Sequence, residues 1–136
     1  MYHPVTVLDG MIETGWLESK EGPGIGEYLK MKLNKEITVD EIRIAPGYFD
    51  PQWWKANHRI KTLEITIYSK TYRCDFKDTM EMQKVDFPSN VTFREITFTI
   101  LDVFQSSVYN DAGVSEIRFF NNGKEVPVYA DWKSTY

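Results

Sequence analysis

An alternation of apolar and polar residues recurs along most of the chain and constrains its fold more than any other feature. Residues 27–33, EYLKMKL, alternate leucine or methionine with tyrosine or lysine. Residues 61–69, KTLEITIYS, place Leu63, Ile65 and Ile67 on a single face. A side-chain period of two is the period of a β-strand with one buried face. The pattern therefore predicts strands.

About eight β-rich runs of this kind are separated by turn signals, and none shows a convincing helical period. They span residues 27–33, 37–45, 61–69, 71–76, 83–87, 94–104, 114–120 and 125–129. This organisation predicts an all-β fold, an antiparallel β-sandwich. The turns include NKE at 34–36 and NNG at 121–123, and Pro127 fits only an edge strand or a strand end.

The length of 136 residues fits one domain, and no repeat, low-complexity tract or linker divides it. We therefore predict a single domain over residues 1–136. Residues 130–136 lack periodicity, so we expect them either to fray or to dock as a segment. Cys74 is the only cysteine, which excludes an internal disulfide, and its alternating surroundings indicate an ordinary strand residue.

The charge balance excludes two classes of partner. Sixteen basic and twenty acidic side chains give a net charge of −4, so the chain lacks the electrostatic footprint of a nucleic-acid-binding protein. It also lacks a basic cluster for anionic lipid, and no apolar run approaches the ~18 residues of a membrane span. We expect neither nucleic-acid binding nor membrane insertion, and we find no signal peptide in this chain.

Sequence signatures of catalysis are also missing. The two histidines, His3 and His58, lie far apart and have no acidic partner at metal-ligand spacing. No nucleophile-elbow motif occurs. The glycine-rich residues 21–27, EGPGIGE, lack a lysine and lead into a strand, so they indicate a flexible loop rather than a phosphate site. We predict no catalytic residues and no enzymatic activity.

A long aromatic and polar connection, residues 47–59, interrupts the regular spacing of the strands. A loop of this length without structure of its own is uncommon unless it is functional. Sites for neutral sugars combine an aromatic platform with amide, carboxylate or guanidinium groups. The loop supplies both kinds of group, and its candidate ligand-binding residues are Tyr48, Trp53, Trp54, Asn57, His58 and Arg59.

Two alternatives remain open for this loop. The tryptophans could close the end of the sandwich as core; because adjacent residues of an extended segment point in opposite directions, we expect one indole inside and one available. Arg59 could form a structural salt bridge instead of contacting a ligand. A second loop, residues 104–113, adds Tyr109 and Asn110 as candidate ligand-binding residues, although Asn-Asp-Ala-Gly is also ordinary turn chemistry.

Motifs near both ends of the chain resemble the discoidin-like family, which includes coagulation-factor type-C domains and galactose-binding jelly rolls. They are the LDG at residues 8–10, Thr14, Trp16 and the SEIRF at residues 115–119. The resemblance is closer to one branch, the glycan-binding module named after the bacterial NADase toxins. It rests on GPGIGE at 22–27, Gly47-Tyr48, Asn57-His58-Arg59 and the segment 99–119. It covers residues 2–120 and leaves 121–136 as a C-terminal extension.

The resemblance implies a jelly roll that binds glycans through loops at one end. Such modules are usually attached to secreted bacterial enzymes or surface proteins, so we expect an extracellular or cell-surface location within a larger protein, and a monomer. Some discoidin-like relatives are adhesion domains. The alternative function is therefore a protein- or cell-surface-adhesion domain, with Phe49 and Trp53 forming an exposed apolar patch.

Related modules often hold a structural calcium ion near the Asp-Gly turn. The resemblance implies carboxylate ligands from Asp9 and Glu116 and an oxygen ligand from Thr14, a donor set that suits calcium. Met11 stands where relatives commonly have a second acid, which removes one ligand. Without metal, Asp9 would cap its turn and Glu116 would pair with a cation.

Overall fold

The computed structural model describes residues 16–17, 26, 28–47, 54, 59–105, 113–114, 116–128 and 130–134. Nine strands lie in these ranges: β1 Trp16–Leu17, β2 Tyr28–Ala45, β3 Arg59–Ile67, β4 Lys70–Asp75, β5 Gln83–Phe104, β6 Gly113–Val114, β7 Glu116–Asn121, β8 Lys124–Val126 and β9 Ala130–Ser134. The pairings between them are antiparallel, and the described ranges contain no helix, hence none that could cross a membrane. The all-β, antiparallel prediction is confirmed.

Two long strands connect the parts of the fold. The main sheet has the order β4-β3-β5-β2-β7-β8, with β9 also paired to β2, whereas β1 and β6 form a small separate sheet. The first part of β2 lies between β5 and β9, and its last part lies between β5 and β7. The 18 residues of β2 and the 22 of β5 therefore contribute to both layers of the sandwich.

Contacts between strands that are not neighbours show how the layers close. The amide of Ile60 in β3 donates to the carbonyl of Pro46 after β2, at 3.4 Å, although β5 separates these strands in the sheet. The rings of Phe93 in β5 and Phe119 in β7 pack with their centroids 5.8 Å apart. The sheet thus curls over a common core. Its largest fully buried side chains are Leu29, Met31, Leu33, Ile42, Ile44, Ile60, Leu63, Ile65, Phe93, Phe98 and Phe119.

Two predicted breaks between strands are wrong. The segments 27–33 and 37–45 form one strand, β2, whose register with β5 shifts between Lys32 and Ile37. The segments 83–87 and 94–104 likewise form one strand, β5. The inserted residues bulge and bend the strand instead of reversing it, because the strand beside them keeps its ladder of hydrogen bonds on both sides of the irregularity.

The C-terminal segment docks on the sheet, which is one of the two outcomes expected for it. β9, residues 130–134, pairs with Leu29–Leu33 of β2. Its sequence has no period-two alternation, so the open edge of β2 provides the backbone partners that fix it as a strand.

The last hairpin follows the predicted turn chemistry. Asn122 and Gly123 connect the paired residues Asn121 and Lys124, and both adopt left-handed φ angles of 51° and 77°. Two successive positive φ values are typical of the type I′ turn that Asn-Gly favours. Pro127 directly follows β8, which lies at the edge of the sheet, as predicted.

Cys74 is a buried residue of β4. Burial, together with the neighbouring charge of Asp75, raises the pKa of its thiol to about 11. The thiol therefore stays protonated at neutral pH and lacks the thiolate that a cysteine nucleophile needs.

Candidate functional site

Four strands end or begin at one edge of the sandwich, which we call the loop edge. β2 ends at Ala45, opposite Glu116 at the start of β7. β3 begins at Arg59, opposite Phe104 at the end of β5. The loops 48–58 and 106–112 both leave the sandwich from this edge, so the two predicted ligand-binding loops have neighbouring anchor points.

Gly47, Trp54 and Arg59 pack tightly where loop 48–58 leaves β2 and returns to β3. Trp54 is only 8% exposed and packs with Ala45 and Met82. A Cβ atom on Gly47, whose φ is 147°, would lie 2.6 Å from Cζ3 of Trp54 and 3.2 Å from Cγ of Arg59. The indole of Trp54 therefore faces inward, and a glycine is required beside it.

The guanidinium of Arg59 connects three segments at the loop edge. Its Nε and Nη2 donate to Oδ1 and Oδ2 of Asp78, each at 2.9 Å, and its Nη1 donates to the carbonyl of Gln105 at 3.2 Å. Arg59 is 8% exposed. Two parallel charge-assisted hydrogen bonds fix a guanidinium strongly in orientation. We call this arrangement the Arg59 clamp; it is the salt bridge that the sequence left open as an alternative for this residue.

Sequence reasoning missed the segment 77–82, which supplies Asp78 and Met82. The segment is closed by a reciprocal pair of hydrogen bonds, from the Lys77 amide to Oε1 of Gln83 at 2.9 Å and from Nε2 of Gln83 to the Lys77 carbonyl at 2.8 Å. Its composition resembles an ordinary polar turn. The one available signal was a lone aspartate between two strands, and nothing in the sequence pairs it with Arg59.

Glu116 lies at the start of β7 and is 2% exposed. Its Oε1 accepts a hydrogen bond from Nη2 of Arg118 at 3.0 Å, and Nη1 of Arg118 donates to Glu125 at 3.0 Å. The hydrogen bond to Glu116 raises the pKa of Arg118 above its ordinary value. Glu116 thus has the cationic partner expected of it without metal.

The other predicted site residues lie outside the described residues. They are the sugar-site candidates Tyr48, Trp53, Asn57, His58, Tyr109 and Asn110, and the calcium-site candidates Asp9 and Thr14. Among the residues that the structure does describe, no group of three metal-ligating side chains occurs.

The fold is similar to that of solved carbohydrate-binding modules. The family 32 module of NanJ from C. perfringens, solved with galactose, has a TM-score of 0.66 at 22% identity; the match covers 84% of this chain and 81% of that one. The family 32 module of AlyQ, solved with 4,5-unsaturated mannuronic acid, has a TM-score of 0.59 at 20% identity over 85% and 83% of the two chains. The predicted galactose-binding jelly roll is confirmed.

A translocation domain has the same fold. The NAD⁺-glycohydrolase translocation domain of Streptococcus pyogenes has a TM-score of 0.58 at 20% identity, over 78% of this chain and 96% of that one. No curated protein sequence matches this chain significantly. The family model described as "NAD glycohydrolase translocation F5/8 type C domain" matches residues 1–120, in agreement with the resemblance seen in the sequence. The chain belongs to the family of NAD glycohydrolase translocation F5/8 type C domains.

Proposed function

We propose that this chain is a non-catalytic carbohydrate-binding module that recognises a glycan through the loops at the loop edge. The observation that carries the proposal is the Arg59 clamp, because it joins the start of β3 to the start of loop 106–112 through Gln105. The anchor points of two segments distant in sequence therefore lie beside one another. The similarity to modules solved with galactose and with an unsaturated mannuronic acid supports the same function.

The described contacts suggest different roles for the candidate residues. In this proposal Trp54 and Arg59 are positioning residues, since one is packed inside and the other is held by Asp78. Direct contact with the sugar falls to Tyr48, Trp53, Asn57, His58, Tyr109 and Asn110. A shallow loop site buries little of a sugar's surface, so we expect weak affinity.

Sugar titrations test the proposal directly. Galactose and a mannuronate oligosaccharide are titrated into the protein while tryptophan fluorescence and ¹H–¹⁵N amide spectra are recorded. We expect saturable changes at millimolar concentration, with amide shifts beside the loop edge at Ala45, Gly47, Phe104 and Gln105. Trp53→Ala should abolish the shifts at the loop edge without lowering the melting temperature. Lys124→Gln, an exposed change in β8 that belongs to neither candidate loop, is the control and should bind as the wild type does.

Failure of these titrations would have a clear meaning. If no sugar perturbs the signals at the loop edge, or if Trp53→Ala keeps the loop-edge shifts of the wild type, the glycan proposal is wrong. The second candidate is then an adhesion domain whose loops bind a protein partner, the role that the discoidin-like resemblance offers as an alternative. In that case, Phe49→Ala combined with Trp53→Ala should abolish attachment of the protein to a cell surface while sugars remain without effect.

We further propose that the chain acts as one module of a larger secreted or surface protein. Support comes from the family 32 modules, each named as a module of another protein, and from the S. pyogenes translocation domain. An extracellular location would also expose the loop edge to glycans.

A further inference from the structure

A concave site lies far from the loop edge. It encloses about 270 Å³ between the tip of the β3–β4 hairpin, residues 67–70 with Tyr72, and residues 89–92 of β5. β3 runs from Arg59 at the loop edge to Ile67 at this site. At about 3.3 Å per strand residue the two ends are roughly 26 Å apart, so the two regions cannot share one small ligand.

An irregularity of β5 forms one wall of this site. Val91 pairs with Val39 and Asp86 pairs with Glu41, so residues 87–90 lie opposite Asp40 alone. Extra residues bend a strand away from its partner, and such bulges are frequent beside binding and active sites. The ring of buried Phe87 packs edge-on against Tyr72 of β4, with centroids 4.8 Å apart and planes at 75°. This contact holds the bulge against the hairpin.

Tyr68 forms the other wall in an unfavourable backbone conformation. It occupies the two-residue turn between Ile67 and Lys70 with a φ of 54°. Left-handed φ values favour glycine or asparagine and cost a bulky residue about 1 kcal/mol or more. The side chain is nevertheless 63% exposed, and its hydroxyl accepts a hydrogen bond from the Arg94 amide at 3.3 Å. A large ring is thus held in solvent at a position where glycine would relieve strain, and backbone strain of this kind clusters at ligand sites.

The remaining groups define the chemistry of the site. Ser69, Ser89, Asn90 and Thr92 line it with hydroxyl and amide groups. Lys70 is exposed and is the one charged side chain in the lining, which contains no carboxylate. Polar donors beside an aromatic face suit a sugar ring, and the uncompensated cation favours a negative charge on it. The volume is below the roughly 300–1,000 Å³ of sites for larger ligands, so it fits a single ring.

We propose that this pocket is a second saccharide site, which binds one pyranose ring that carries a carboxylate. Tyr68 stacks on the apolar face of the sugar and Lys70 pairs with its carboxylate. Asn90 and the neighbouring hydroxyls bind its hydroxyl groups. The inference does not depend on the function proposed for the loop edge. With both sites active, one module could bind two points of an anionic polysaccharide and gain avidity from the second contact.

Amide spectra with two matched sugars test this site. Methyl glucuronide and its neutral counterpart, methyl glucoside, are titrated into the ¹⁵N-labelled protein. We expect the acid to shift the amides of residues 68–72 and 89–92 saturably and the neutral sugar to bind about two- to five-fold more weakly, the usual contribution of one exposed ion pair. Lys70→Gln should reduce the affinity for the acid to that for the neutral sugar.

Variants of Tyr68 separate binding from folding. Tyr68→Gly removes the platform but relieves the left-handed strain, so it should lose the amide shifts while its melting temperature stays equal or rises. Trp53→Ala, at the loop edge, should leave these shifts unchanged. The proposal is wrong if neither sugar moves these amides, if Tyr68→Gly binds as the wild type does, or if Trp53→Ala removes the response.

Discussion

Gly47, Trp54 and Arg59 show how single residues shape the loop edge. The absent side chain of Gly47 leaves room for the indole of Trp54 and for the aliphatic part of Arg59. Arg59 in turn directs its guanidinium to Asp78 and to the carbonyl of Gln105. Gly47 lies close to both other residues, and Arg59 also reaches Gln105. A change at any of the three should therefore be transmitted to the start of both candidate loops.

Replacing Gly47 with alanine should destabilise the protein more than the same change at another glycine of positive φ. Gly47→Ala places a methyl group against the indole, and overpacking of this kind costs about 1–3 kcal/mol beyond the backbone strain. Gly26 has a φ of 88° and open space around it, so Gly26→Ala bears the strain alone. Urea denaturation of both variants measures the difference. Equal stabilities would contradict the packing described for Trp54.

Removing the charge of Asp78 should weaken the Arg59 clamp. Asp78→Asn leaves the buried guanidinium without its carboxylate, and we expect a loss of about 1–3 kcal/mol in the free energy of unfolding. The matched control is Arg73→Gln, which removes an exposed pair with Asp75 at 3.5 Å and should cost less than about 0.5 kcal/mol. If Asp78→Asn is as mild as the control, Arg59 does not depend on Asp78.

The sequence indicates residue types at this site better than their roles. The geometry of an extended chain predicts that one of Trp53 and Trp54 packs inward; Trp54 is buried, and Trp53 lies outside the described residues. Arg59 could not be assigned from its position, because its partner Asp78 lies 19 residues away in another connection. No period links residues in two different loops; only the sheet register brings them together.

At the level of whole elements, alternation located the strands but not their continuity. The NKE segment at 34–36 has ordinary turn chemistry, yet the chain bulges there and β2 continues. A turn and a bulge use similar residues, and the choice depends on whether the strand alongside can continue its ladder. The sequence did not predict β9 either, because pairing with the edge of β2, rather than local propensity, makes this segment a strand.

Deleting β9 should expose the first part of β2. Residues 130–134 pair with Leu29–Leu33, so removal of residues 130–136 leaves an unpaired strand edge. We expect faster hydrogen exchange of the amides of residues 29–33 and a greater tendency to aggregate. Removing residues 135–136 alone is the control and should change neither property. Unchanged exchange after the longer deletion would show that β9 does not protect this edge.

For the whole molecule, we propose that calcium joins the N-terminal segment to β7. Among the described residues Glu116 is the candidate ligand, and Asp9 and Thr14 would complete the set. The carboxylate of Glu116 is buried and already accepts a hydrogen bond from Arg118, so the calcium ion would bind beside an existing ion pair.

Thermal unfolding with calcium and with a chelator tests this connection. We expect calcium to raise the melting temperature of the wild type but not that of Asp9→Asn. Glu116→Gln should lower the melting temperature with and without calcium, because it also weakens the buried hydrogen bond from Arg118. The expected loss in the free energy of unfolding is about 1–3 kcal/mol. A wild type indifferent to calcium would exclude the metal.

β2 and β5 each supply both layers of the sandwich, and this has a kinetic consequence. Neither layer can fold alone, because β2 and β5 each continue from one layer into the other. Most contacts join residues distant in sequence, a topology that folds slowly. We therefore expect folding and unfolding in one cooperative step. Any process that needs the chain to be unfolded would then have to disrupt both layers together.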